Sequence, residues 1–146
     1  MLCNEKIENL FPMNQPTLSK QFIFNEKINS DYLFSLYADD YPYIEEVFSV
    51  TLQHFDEDFE AIQVAYAGGD IADLKKGVHK IKPAFGFVGL TDIQQICGAF
   101  EDACQEATEK EALKVGYKNL VASLEEGKLV LEAEYRKLKD FNANPL

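Results

Sequence analysis

Apolar residues recur every three or four positions through most of this chain, and this spacing restricts its possible folds more than any other feature. Between Asp40 and Gly68 the stripe reads Ile44, Phe48, Leu52, Phe55, Phe59, Ile62 and Tyr66. Steps of three and four place side chains on one face of an α-helix, whereas a half-buried strand alternates apolar and polar residues. Because no stretch shows competing alternation, the pattern predicts an all-α fold.

Capping and turn residues divide the pattern into one short helix followed by four long ones. The predicted N-caps, in chain order, are Ser30-Asp31, Asp39-Asp40, Asp70, Thr91 and Thr108. Four amphipathic helices joined by short turns must bury their stripes on one another, so we expect an antiparallel up-down four-helix bundle over residues 29–140. The short helix covers one end, and residues 141–146 form a C-terminal tail. Residues 1–28 form an arm, interrupted by Pro12 and Pro16, that packs on the core, pairs with a second copy of the chain or stays mobile.

Composition and charge exclude several classes of function. The chain has 14 Lys and Arg residues against 25 Asp and Glu, a formal net charge of −11, which argues against binding nucleic acid or an anionic membrane. No apolar run approaches the roughly 18–20 residues of a membrane span, and the acidic N-terminus is unlike a signal peptide. Three cysteines are too few for a disulfide scaffold and favour reduced thiols in a cytoplasm. We therefore expect an acidic, cytoplasmic domain. Separately, we expect the protein to be a monomer.

The helix predicted between Asp70 and Gly89 differs from the others because it carries a histidine outside its apolar stripe. On a helical wheel the stripe spans about 100°, and His79 falls about 80° beyond its edge. Lys82 lies one turn on, and the residues around this pair are Ala72, Lys75, Pro83 and Gly86. Between residues 74 and 91 there are four lysines and no acid. A lone exposed histidine or a charge run is commonly just solvated surface, but the combination suits a phosphoryl-accepting imidazole.

The stretch His79-Lys80-Ile81-Lys82-Pro83, with Gly89 ten residues after the histidine, resembles the histidine-containing phosphotransfer (HPt) domain. That family's pattern is His, any residue, an apolar residue, Lys and Gly, followed by a second Gly ten residues after the His. The resemblance covers about residues 30–138. Pro83 departs from it, because the family usually has Gly there. Proline has no N–H, so the bond to the His79 carbonyl cannot form. We expect this departure to affect docking geometry and partner choice more than the chemistry.

The resemblance implies a phosphorelay intermediate without nucleotide, metal, cofactor or kinase activity of its own. His79 would accept a phosphoryl group on Nε2 from a receiver domain's aspartyl phosphate and pass it to another receiver domain. Lys82 would balance the phosphoryl charge, and Gly89 would form the motif turn. The implied partners are response-regulator receiver domains and a hybrid sensor histidine kinase. The predicted docking residues are Ala72, Lys75, Lys76, Pro83 and Gly86.

Antiparallel helices joined at Gly89-Leu90 place His79 opposite residues 97–101. Glu101 therefore either accepts a hydrogen bond from Nδ1–H and fixes the tautomer, or it is an ordinary surface glutamate. His54 lies among acids and is predicted to be a solvated residue at the far end of the bundle. Cys97 and Cys104 have core spacing rather than metal-ligand spacing.

Two other functions remain open at this stage. A helical adaptor could bind a receiver domain without carrying phosphate, and Pro83 is the feature that favours it. A bundle enzyme would need a second catalytic group near His79, and the sequence offers none.

Overall fold

The computed structural model describes residues 20–144, which form five α-helices and one 3₁₀ turn. The helices are α1 (Ser30–Tyr37), α2 (Tyr41–Ala67), α3 (Ile71–Phe87), α4 (Thr91–Glu106) and α5 (Lys114–Ala143), with the 3₁₀ turn at Lys110–Leu113. Residues 20–144 contain no strand. The prediction of an all-α bundle with a short extra helix is confirmed.

The four long helices pack side by side in a closed ring. Helix α3 packs on α2 and α4, and α5 packs on α4 and α2. Helices α3 and α4 are antiparallel. Lys75 contacts Gln105, and His79, four residues later in α3, contacts Glu101, four residues earlier in α4. The apolar stripes meet inside this ring, where the largest fully buried side chains include Phe48, Ile62, Leu74, Ile81, Phe85, Leu120, Leu124 and Leu131.

Two of the predicted N-caps form as the sequence indicates. The Asp40 carboxylate accepts from the Tyr43 N–H with Pro42 in the first turn of α2, where the missing N–H costs no helical bond. The Asp70 carboxylate accepts from the Asp73 N–H at 3.0 Å and begins α3.

The other three predicted caps are wrong. Asn29, not Ser30-Asp31, caps α1. Thr91 is the first helical residue of α4, after a buried Leu90 that has no capping side chain. Thr108 precedes the 3₁₀ turn instead of opening a helix. Each predicted cap lies within one or two residues of the observed start, which is the distance over which helix ends are least well defined by sequence.

The described part of the N-terminal arm packs on the bundle. Phe22 and Phe24 join an aromatic cluster with Tyr41 and Phe141, and Ile28 is 3% exposed. Leu18, a further apolar residue of the same arm, lies outside the described residues. We call residues 20–29 the strap.

The chain's last helix is longer than the sequence indicated. Helix α5 continues to Ala143, so residues 141–143 belong to the helix rather than to a tail. The reason is that Phe141 packs edge-on against Phe22 of the strap, with ring centroids 5.4 Å apart. No helix within residues 20–144 is long and apolar enough to cross a membrane.

Candidate functional site

His79 projects from the outer face of α3. The side chains of Leu74, Val78 and Ile81 from the same helix are buried in the core. Helical geometry therefore turns the position-79 side chain away from the core, and the imidazole is 71% exposed. An exposed neutral imidazole offers a nucleophilic nitrogen to a reacting partner.

Glu101 lies directly against this imidazole. Its Oε2 is 2.8 Å from His79 Nδ1, because the antiparallel register places the middle of α4 beside the middle of α3. An ionised carboxylate only accepts hydrogen bonds, so we assign the proton to Nδ1. This tautomer leaves the lone pair of Nε2 directed outward, toward solvent.

Lys82 binds the second oxygen of the same carboxylate. Its Nζ lies 2.6 Å from Glu101 Oε1, and the Lys82 and Glu101 side chains are 29% and 10% exposed. One nearly buried carboxylate thus bridges the histidine and the lysine of the motif. Such charge-assisted contacts are stronger than neutral hydrogen bonds.

The pKa of Glu101 reflects opposing influences. Burial raises it, but the contacts with Lys82 and His79 outweigh burial and hold the pKa of the carboxyl below its ordinary value of 4.5. The hydrogen bond to Glu101 raises the pKa of Lys82 above its ordinary value of 10.5. Glu101 and Lys82 are therefore both charged at neutral pH.

Cys97 lies beside this pair but stays a thiol. Burial raises its pKa to about 12, so it is neither a ready nucleophile nor a ready metal ligand. Within residues 20–144, no group of three or more His, Cys, Asp or Glu side chains is placed to hold a metal ion.

The predicted docking residues fall on two flanks of α3. Ala72 and Pro83 are exposed beside His79, and Lys75 Nζ donates to Gln105 Oε1 on the α4 side. Lys76 is also exposed but lines a cleft toward α2, together with Glu57 and Glu60.

Gly86 does not belong to the exposed surface, so this part of the sequence prediction is wrong. It is buried beneath the Gln94 amide of α4, and a Cβ at position 86 would lie 2.7 Å from Gln94 Nε2. The helical wheel missed this cover because it treats α3 in isolation. The antiparallel register that pairs residue 79 with 101 also pairs 86 with 94, so the register was the signal that could have identified Gln94.

Gly89 occupies a turn that only glycine fits. Its φ is +79°, and a Cβ there would lie 2.8 Å from Leu33 Cγ and 2.9 Å from Ile28 Cγ2. The backbone conformation disfavours side chains, and the contacts leave no room for one. The strap and α1 therefore close over the end of the histidine helix at this residue.

The sequence predicted His54 at the far end of the bundle, and the structure shows that this position is wrong. It lines a mainly apolar groove of about 250 Å³ between α2 and α3, together with Pro83 and Phe87. Phe87 is 55% exposed, and its carbonyl accepts from the Tyr37 hydroxyl at 2.8 Å. The antiparallel pairing of α2 with α3 brings position 54 beside this part of the histidine helix.

Comparisons with known proteins agree with the helical-bundle fold. Residues 46–139 match the family model of the Hpt domain. The fold is similar to the crystal structure of the HPT domain from the Hpt sensor hybrid histidine kinase of Shewanella, with a TM-score of 0.67 and 22% sequence identity. That alignment covers 76% of this chain and 95% of the Shewanella chain. No curated protein sequence matches the chain.

Proposed function

The chain belongs to the Hpt domain family, and from this premise we propose that it relays phosphoryl groups between receiver domains through His79. Hpt domains act in phosphorelays as histidine phosphocarriers and are not themselves kinases. The observation that carries the proposal is the exposed imidazole of α3 with its Nδ1 bound to Glu101 at 2.8 Å, because this contact presents Nε2 to a partner.

The proposed transfer needs no group from this chain beyond the imidazole and its neighbours. The lone pair of His79 Nε2 attacks the phosphorus of a receiver's aspartyl phosphate. A P–N bond forms, the P–O bond breaks, and the aspartate leaves as a carboxylate with the electron pair. Nδ1 keeps its proton, so the ring becomes cationic, and the Glu101 carboxylate stabilises that charge. Attack by the carboxylate of a second receiver reverses the bond changes and restores the neutral imidazole.

Lys82 and the surrounding lysines support docking of the receiver. The Lys82 ammonium is one helical turn from His79 and can balance charge on the phosphoryl oxygens. Lys75, Lys76 and Lys80 add positive charge to α3 in a chain whose net charge is −11. A partner with an acidic phosphorylation pocket is therefore attracted to this helix, while like charge discourages docking elsewhere.

The proposal also covers the partners of the protein, its oligomeric state and its location in the cell. We propose receiver domains, including that of a hybrid sensor histidine kinase, as the donor and acceptor. The protein acts as a monomer, since each step needs only one exposed histidine. A cytoplasmic location is supported by the free, buried thiols of Cys97 and Cys104.

The direct test is to mix the protein with a ³²P-labelled receiver domain. We expect acid-labile, alkali-stable label on the wild type and none on His79→Gln, because the amide cannot form the P–N bond. His54→Gln is the matched control and should accept label normally. Label that persists on His79→Gln would refute the assignment, and receiver binding without label would favour the adaptor function instead.

A further inference from the structure

The carboxylate of Glu101 already holds, in the unphosphorylated protein, the cation that the phosphoryl group requires. Lys82 Nζ is 2.6 Å from Oε1 while His79 Nδ1 is 2.8 Å from Oε2. We propose that Glu101 is a positioning residue that shortens the lifetime of the phosphoryl group on His79, so that the site transfers the group rather than storing it. This inference rests on the proposed function, because it concerns the phosphorylated state of the same histidine.

The first reason is the nature of the leaving group. When a carboxylate or water attacks phosphohistidine, a new P–O bond forms, the P–N bond breaks, and its electron pair returns to Nε2. If Nδ1 still carries its proton, the leaving group is neutral imidazole; without that proton it is an imidazolate anion, which leaves far more slowly. The Glu101 side chain is only 10% exposed, so its carboxylate meets little competition from water as the acceptor of the Nδ1 proton and helps the ring to retain it.

The second reason is competition for Lys82. An ionised Glu101 shares the ammonium with the phosphoryl oxygens and so weakens their charge balance. The neighbouring Lys75 Nζ contacts Gln105 instead. Repulsion between the Glu101 carboxylate and the phosphoryl oxygens acts in the same direction. Both effects oppose the attraction between the carboxylate and the cationic ring, and both shorten the lifetime of the phosphoryl group.

The test replaces the charge but keeps the shape. Glu101→Gln retains an oxygen that accepts from Nδ1–H, yet it neither holds the ring proton as strongly nor competes for Lys82. Both proteins are loaded with phosphoramidate, a small donor that needs no partner protein, and are then desalted. Loss of phosphohistidine at pH 8 is followed by ³¹P NMR. We expect a lifetime about three- to tenfold longer in Glu101→Gln, the change that one hydrogen bond of ordinary net strength makes to a rate or an equilibrium.

Two further measurements separate positioning from a structural effect. Glu106→Gln removes the same charge from an exposed position of α4 and should keep the wild-type lifetime. ¹⁵N NMR spectra of the phosphorylated proteins at pH 8 report how many molecules carry a proton on Nδ1. We expect this fraction to be larger in the wild type than in Glu101→Gln. Circular dichroism checks that both variants keep the wild-type helix content.

The outcomes distinguish this inference from the proposed function. An equal or shorter lifetime in Glu101→Gln overturns the inference, even if transfer from a receiver proceeds normally. A longer lifetime supports the inference, and failure of receivers to exchange phosphate with the same protein would then refute only the relay. If neither phosphoramidate nor a phosphorylated receiver loads His79, both are refuted.

Discussion

At the scale of single residues, the candidate site consists of one carboxylate and the two nitrogen atoms that contact it. Glu101 is 8% exposed, and such a buried charge is unfavourable unless it is paired. The contacts with His79 and Lys82 provide that pairing, so the same atoms that orient the imidazole also stabilise the fold.

The lowered pKa of Glu101 predicts how this contribution depends on pH. The folded-state pKa is below 4.5, its ordinary value, so the stabilisation is present above pH 4.5 and is lost as the pH falls through the folded-state pKa. Glu101→Gln cannot titrate. We therefore expect the stability advantage of the wild type over Glu101→Gln to decrease on acidification below about pH 4.5.

Urea unfolding of both proteins at intervals between pH 7 and pH 3 measures this difference. A difference in unfolding free energy that stays constant over the whole range would show that the carboxylate makes no ionisation-dependent contribution.

At the scale of elements, α3 combines a histidine on its outer face with a proline in its interior. Pro83 lies within the continuous helix Ile71–Phe87, where it cannot donate to the carbonyl of His79. Its ring is exposed, so no neighbouring helix has to move to accommodate it. The helix therefore tolerates the proline at the cost of one hydrogen bond.

Pro83→Ala should stabilise the protein by restoring that bond. We expect the free energy of unfolding to rise by about 1 to 3 kcal/mol, since proline is the poorest residue for a helix interior. Pro42→Ala is the matched control, because Pro42 lies in the first turn of α2, where no helical bond is lost. Chemical denaturation measures both; equal effects of the two substitutions would contradict the assignment.

The turn after α3 makes a separate prediction. Gly69 and Gly89 both have positive φ, +71° and +79°, but only Gly89 has close neighbours at its missing Cβ. Gly69→Ala should cost about 1 to 2 kcal/mol from backbone strain alone. Gly89→Ala should cost a further amount of about 1 to 3 kcal/mol, because Leu33 and Ile28 must move.

Comparing the two variants by urea denaturation isolates the packing contribution at Gly89. If both lose the same stability, the strap and α1 do not press on this turn in solution.

At the scale of the whole molecule, the strap connects α5 with the turn that follows the histidine helix α3. Asn29 N–H donates to the Gly89 carbonyl at 2.8 Å, and Asn25 N–H donates to Glu134 Oε1 on α5 at 2.6 Å. Glu134 is 1% exposed, and its other oxygen is 3.1 Å from Lys137 Nζ. A buried carboxylate in the last helix therefore holds the N-terminal segment in place.

Glu134→Ala should release the strap. We expect a loss of about 1 to 3 kcal/mol, because the partly buried Asn25 N–H loses its acceptor, and we expect faster hydrogen exchange at the Asn25 amide. Glu134→Gln keeps an acceptor oxygen and should lose less. Glu125→Ala, at an exposed position of α5, is the control. Unchanged exchange at Asn25 in Glu134→Ala would mean that this contact does not hold the strap.

The sequence by itself determined the helices, their buried faces and the outward direction of His79. These features follow from periodicity, because residue number alone sets the direction of a side chain around a helix. The position of Glu101 beside His79 needed one further assumption, the antiparallel packing of two consecutive helices joined by a short turn. The turn at Gly69 and the N-cap at Asp70 were predictable for a similar reason, because each depends on backbone only a few residues away.

Only the tertiary structure decided which surfaces stay open and which contacts join distant segments. His54 lies beside Pro83, and the Glu134 carboxylate binds Asn25, and neither pair is close in sequence. Long-range contacts depend on how all the helices pack at once, whereas a helical wheel describes one helix at a time. The contact of Lys82 with Glu101, which the sequence did not predict, belongs to the same class because it exists only where two helices meet.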